Sequence, residues 1–150
     1  MSGSKIYKLS TSSPIANLVM FFTERILVKK YSGKLGDYIQ NIQTGKTPPM
    51  NVPRYYSSND IGWAKPSDVG RGKYFLDLPD KLSKIAVDEN KVTLYQPGTL
   101  LIICIGAGVG RVALTNEVIS SNQQITGILF DKNVHPEYAY YYVLLPRSFI

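Results

Sequence analysis

Residues 96–125, QPGTLLIICIGAGVGRVALTNEVISSNQQI, decide how this chain is read. Leu100 to Ile105 form an apolar or cysteine run that reads as a buried strand, and it leads straight into Gly106, Gly108 and Gly110. A dinucleotide fingerprint would need a helix opening at those glycines, to hold a pyrophosphate at its N-terminus, and an acidic residue about 20 positions on. Instead Arg111-Val112-Ala113-Leu114-Thr115 follows, short and partly β-branched, and Asn116 closes it. The pattern predicts strand, glycine turn, strand, in a tight hairpin whose glycines supply positive φ and hold no nucleotide cofactor.

Outward from the hairpin, Val92-Thr93-Leu94-Tyr95 alternates as a strand, Pro97-Gly98 turns the chain, and Ile125 to Phe130 reads as a further strand. Glu137 to Leu145, EYAYYYVLL, follows His135-Pro136. Proline near the first turn and an acid at the positive dipole end predict a helix there. Leu35, Tyr38, Ile39 and Ile42 keep a three-to-four spacing that predicts a short strand or helical turn over Lys34 to Ile42. Ser12-Ser13-Pro14 caps a predicted helix to Lys30, with Ile15, Leu18, Val19, Phe22, Ile26 and Leu27 on its apolar stripe. Met20 and Phe21 widen that stripe, so the helix either is core or faces a partner subunit or a second copy. The opening MSGSK resembles an expression remnant, and residues 1–11 are set aside as a flexible or tag-like start. The expected fold is α+β: one domain over residues 12–150, with a small mixed or antiparallel β-sheet, an N-terminal helix, long ordered loops and a C-terminal helix.

At 150 residues and 44% hydrophobic content, one core is affordable and two domains are not. Seventeen Lys and Arg against eleven Asp and Glu give +6 and a pI near 9.4, which favours an acidic partner such as nucleic acid or an anionic membrane surface. Cys104, the single cysteine, lies in the apolar run and is expected in the core. It excludes an internal disulfide or a multi-cysteine zinc site. His135 has no nucleophile or cysteine at motif spacing and reads as a loop residue. The chain has no run of eighteen apolar residues and no cleavable leader pattern, so a cytoplasmic, non-membrane protein is expected.

From Gln43 to Lys73, Gly45, Pro48, Pro49, Pro53, Gly62, Pro66, Gly70 and Gly72 interrupt regular structure. A stretch of this length in a compact domain is expected to be an ordered functional surface. Its Lys46, Arg54, Lys65, Arg71 and Lys73 are interleaved with Tyr55, Tyr56 and Trp63, a composition suited to a nucleic-acid face. Trp63 and one of the two tyrosines are expected to anchor a satellite core beneath the loop. Catalytic signals are lacking. An adenine methyltransferase would carry Asn or Asp, two prolines and an aromatic, whereas Thr47-Pro48-Pro49-Met50 has neither the amide or acid nor the ring. The carboxylates are scattered, and Asp68 between Lys65 and Arg71 reads as a solvated salt bridge, so neither catalytic nor metal-ligating residues are expected.

A family resemblance rests on an ordered set of short motifs. Leu35-Gly36-Asp37-Tyr38-Ile39, Thr44-Gly45-Lys46-Thr47-Pro48, Ile61-Gly62-Trp63-Ala64-Lys65 with Asp68, Pro97-Gly98-Thr99, Gly106 to Ala113 and Ser121-Asn122-Gln123-Gln124-Ile125 occur in that order, across about Lys34 to Leu145. The set resembles the target-recognition domain of type I restriction-modification specificity subunits, and similar domains fused to methyltransferases. The resemblance implies a non-catalytic domain that grips double-stranded DNA and reads one half of a target, for a partner methyltransferase subunit or a fused methyltransferase domain. The long spacer helix that follows such domains has no counterpart before Ile150, so one recognition domain is expected.

DNA chemistry divides the candidates. Lys46, Arg54, Lys65, Arg71, Lys73 and Arg111 are expected on phosphates or guanines, and Gln43, Thr47, Tyr55, Tyr56 and Asn59 on bases or sugars. Asn122 and Gln123 either clasp the backbone of the glycine hairpin or reach the DNA. Two other classes remain open from sequence: a fragment of a catalytic nuclease or methyltransferase, and a protein-interaction module that uses the N-terminal helix.

Overall fold

The glycine hairpin sits on one of two four-stranded sheets. The computed structural model describes residues 34–75 and 77–144, so the predicted N-terminal helix and its proposed self-association face lie outside the described residues. The first sheet is antiparallel throughout, with β1 (Ile39–Thr44), β8 (Ile125–Phe130), β5 (Leu100–Ile103) and β6 (Val112–Leu114) side by side in that order. The second runs β3 (Lys81–Leu82), β2 (Ile61–Ala64), β7 (Ile119–Ser121), β4 (Leu94–Tyr95). There β2 and β7 are parallel and the other pairs antiparallel. The α+β class read from the sequence is the class that forms, with one antiparallel and one mixed sheet.

Alternation of side chains explains how the sheets meet. Leu101, Ile103, Ala113 and Ile125 from the first sheet join Ala64, Tyr95 and Ile119 from the second in one buried cluster, with Val69, Phe75 and Leu78 added from loops. On the other face of β2, Trp63 is 8% exposed and packs with Tyr55, Leu82, Ala86 and Val92 in a satellite core, as its place under the long loop predicts. α1 (Lys84–Asp88) contributes Ala86 to that cluster. It ends with Asn90 at φ 55, Lys91 N–H bonding to Ala86 O at 2.8 Å and Asn90 N–H to Val87 O at 2.9 Å. These paired bonds satisfy the last carbonyls of the helix. α2 (Pro136–Leu144), one residue earlier than predicted, packs against β5 and β6 and buries Ala139 and Tyr140.

Three local expectations are corrected. Cys104 is exposed, because β5 ends at Ile103 and the chain leaves the sheet to form the hairpin loop. That loop, residues 104–110, is wider than a two-residue turn and contains two successive turns, closed by Val109 N–H to Gly106 O and Arg111 N–H to Gly108 O. Gly106 and Gly110 take φ of 95 and 88, whereas Gly108 does not adopt positive φ. The proline- and glycine-broken stretch also contains a regular strand, β2, which the hydrogen bonds of β3 and β7 stabilise on either side.

Candidate nucleic-acid interface

The parallel pair β2 and β7 gives the molecule two chemically different ends. Around their beginnings, Asn59, Asp60, Asp77 and Glu117 share one recess with Lys81. Beyond their C-terminal ends lie Lys65 on β2 and the Asn122-Gln123-Gln124 turn on β7, tied together by Asn122 N–H to Ala64 O at 3.2 Å. Two further loops reach the same end. Cys104 N–H bonds to Gln124 O at 2.9 Å, which brings the glycine hairpin there, and Lys46 N–H bonds to Ser121 O at 3.0 Å, which brings the end of β1.

Close approach of that last loop depends on Gly45. Its N–H bonds to Ile125 O at 2.9 Å, and a Cβ at this position would overlap Asn122 O and Ser121 Oγ. Buried Pro48 anchors the far side of the loop, where the Tyr56 hydroxyl donates to Pro48 O at 2.7 Å. An open groove results, lined by Gly45, Lys46, Thr47, Pro49, Asn90, Lys91 and Gln123, with no carboxylate in its lining. Across it the Thr47 hydroxyl donates to Gln123 Oε1. Lys46, Thr47 and Gln123 are thus brought together as sequence candidates. Asn90 and Lys91 were missed, because only the end of α1 places them there and no motif marks them.

A second cationic patch borders the hairpin. The stretch from Gly70 to Tyr74 runs alongside β6, with Tyr74 bridging Leu114 in parallel and the stem of Arg111 lying 3.2 Å from the position of a Cβ on Gly70. Arg111 and Arg71 are therefore near neighbours on the surface. Arg71 stands 4.0 Å from Asp68, whose buried carboxylate also accepts Lys65 N–H at 2.9 Å. Asp68 is a buried turn cap and not the solvated salt bridge expected from the sequence, because the turn after β2 folds its carboxylate back onto Lys65 N–H.

The remaining candidates have other commitments. Arg54 pairs with Glu89 at 3.1 Å, and the same oxygen accepts the Tyr55 hydroxyl at 2.6 Å. Together these two donors hold the Glu89 carboxyl below the usual range, with the Tyr55 bond the larger cause. Tyr55 is 3% exposed and belongs to the satellite core, and Tyr56 lies edge-on to Trp63 with its hydroxyl on Pro48. Lys65 pairs with Asp80 at 2.8 Å and lies over the Trp63 ring, and Lys73 pairs with Glu137 at 2.6 Å. Gln43 lies on β1 beside a shallow recess with Tyr95 and Gln96. Asn122 clasps its own turn, not the hairpin backbone: Oδ1 accepts Gln124 N–H and Nδ2 donates to Gln124 Oε1, both at 3.1 Å. Asn59 is on the acidic end, away from the groove.

Among the described residues, no group of three or more His, Cys, Asp or Glu is arranged to hold a metal, and no helix is long and apolar enough to cross a membrane. Lys46, Lys91 and Arg111 form none of the described ion pairs.

The fold of two packed sheets is found in solved structures. The HsdS subunit from Thermoanaerobacter tengcongensis superposes with a TM-score of 0.52 and 16% identity, over 86% of this chain and 33% of that one. A chain from a structure addressing complex assembly and conformational transition of the type I R-M system gives 0.52 and 15%, over 87% and 33%. In sequence, the MjaIX type I restriction enzyme specificity subunit of Methanocaldococcus jannaschii is 28% identical over 105 residues, 69% of this chain and 24% of that protein. The model of the type I restriction modification DNA specificity domain matches residues 28–148, and this chain belongs to that family. It spans about a quarter to a third of the length of these relatives.

Proposed function

We propose that this domain binds duplex DNA sequence-specifically, without catalysing a reaction itself, and reads one half of a restriction-modification target for a methyltransferase subunit or fused methyltransferase domain. The supporting observation is the chemical polarity of β2 and β7. One end gathers Lys46, Thr47, Lys91 and Gln123 with Arg71 and Arg111 nearby, and the other collects Asp60, Asp77 and Glu117. Only the first end suits a polyanion. Lys46, Lys91 and Arg111 take phosphates at once, whereas Arg54, Lys65, Arg71 and Lys73 must first leave or share a carboxylate.

Counterion release tests this division. If three cations meet phosphates, log K against log salt has a slope of about −2.7 for duplex DNA. Alanine at Lys46, Lys91 or Arg111 flattens it by about one unit each and weakens all sequences alike. Binding of the wild-type chain, with its partner methyltransferase added where affinity requires, is measured across salt on a selected and a scrambled duplex. Equal, salt-insensitive binding to both would remove the proposed function.

A further inference from the structure

We infer that Gln123 reads an adenine in the major groove and that the Thr47 hydroxyl is the group that positions its amide, a role that rests on the duplex-binding function proposed above. Gln123 is exposed at the tip of the turn between β7 and β8. An exposed glutamine normally samples many rotamers, and ordering it on binding costs conformational entropy. Here its oxygen is already held by Thr47. Both backbones carrying that contact are themselves fixed to one another, through Gly45 N–H to Ile125 O and Lys46 N–H to Ser121 O, while the Asn122 side chain braces the turn. Such preorganisation suits a base reader more than a phosphate contact, because bidentate recognition requires a defined plane.

Chemistry selects the base. The Thr47 donor occupies one lone pair of Oε1, so Gln123 retains one acceptor site and both Nε2 hydrogens. An acceptor beside a donor complements the N6 amino group and N7 of adenine. Guanine offers two acceptors at the same edge and sets O6 against Oε1, and each pyrimidine offers a single polar group. Lys46 and Lys91 line the same groove and are placed to hold the flanking phosphates. Asn122 is not available for this task, since both ends of its amide are already bonded to Gln124.

Selection from a random duplex pool, with the full chain and Q123A, T47V, T47S and K46A, tests the assignment. Wild type is expected to select adenine at one position. Q123A loses about 5- to 150-fold on the selected duplex and relaxes that position alone. T47V relaxes the same position partially, T47S restores it, and K46A weakens all sequences without changing any preference. Replacing the selected adenine by 7-deazaadenine removes the N7 acceptor without touching the protein, so it guards against a variant that fails to fold. It should cost wild type and T47S affinity, and cost Q123A nothing further. A folded Q123A that keeps every preference, relaxation at a position other than adenine, or indifference to 7-deazaadenine overturns the adenine assignment while leaving DNA recognition standing. T47V that matches wild type overturns the positioning role. A wild-type chain with no sequence preference removes the proposed function itself, and this inference with it.

Discussion

At the scale of single residues, Glu137 carries the plainest electrostatic signature. It accepts from Lys73 at 2.6 Å and from the Tyr74 hydroxyl at 2.8 Å, and these bonds hold its carboxyl below the ordinary range. Lys73, bonded to the same oxygen, is raised above the ordinary lysine range. A carboxyl lowered on folding adds stability above its unfolded pKa, and that stability is lost as pH falls through the folded value. The raised lysine contributes below its unfolded pKa and loses its share as pH rises through the folded one. Glu137→Gln should therefore lower stability at neutral pH by no more than about 1 kcal/mol, since the pair is partly solvated. Its melting temperature should converge with wild type in acid, once pH has fallen through the lowered pKa of the Glu137 carboxyl and protonated it. A variant whose deficit does not shrink anywhere along an acid titration of both proteins would show that the loss comes from packing.

At the scale of elements, the hairpin between β5 and β6 separates two roles that glycine can play. Gly106 and Gly110 have positive φ, where an L side chain costs about 1–2 kcal/mol. At Gly108 the obstacle is different: a Cβ would sit 2.9 Å from Ile103 Cδ1, the movable end of a side chain. Gly106→Ala and Gly110→Ala should each lower the urea midpoint more than Gly108→Ala, whose cost should stay below about 1 kcal/mol. Equal losses at all three would contradict the conformational account. Ile105 and Val109, 59% and 61% exposed, show why an apolar sequence run is an uncertain guide at such a loop. The run from Leu100 to Ile105 looks uniform, yet only Leu100–Ile103 have ladder partners.

At the scale of the whole molecule, net charge of +6 is less informative than where the charges lie. Four cations of the predicted interface are matched by nearby carboxylates, and the acidic recess holds Asn59. Asn59→Ala should leave both DNA affinity and its salt slope unchanged, and Glu117→Gln should move neither by more than long-range screening allows. Lys91→Ala, on the opposite end and absent from every sequence motif, should flatten the slope by about one unit. Direct titration of the three variants against one duplex checks the contrast. A large loss at Asn59 with none at Lys91 would place the DNA on the wrong end.

The hairpin, the strand from Ile125 to Phe130 and the C-terminal helix were legible in the chain because their signals are local: apolar periodicity, glycine punctuation and a proline-acid helix start. The ordered motifs also indicated the family, and the place of Trp63 under the long loop indicated its burial. By contrast, β3 and β7 are short, and β7 holds two serines that long-range pairing buries between β2 and β4. Tertiary structure alone decided which candidates share a surface. The β7 turn and the loop after β1 meet through hydrogen bonds between residues far apart in sequence, and the end of α1 lines the same groove. Tyr55 became core and Cys104 surface for the same reason, since burial depends on what packs from elsewhere, which no local pattern contains.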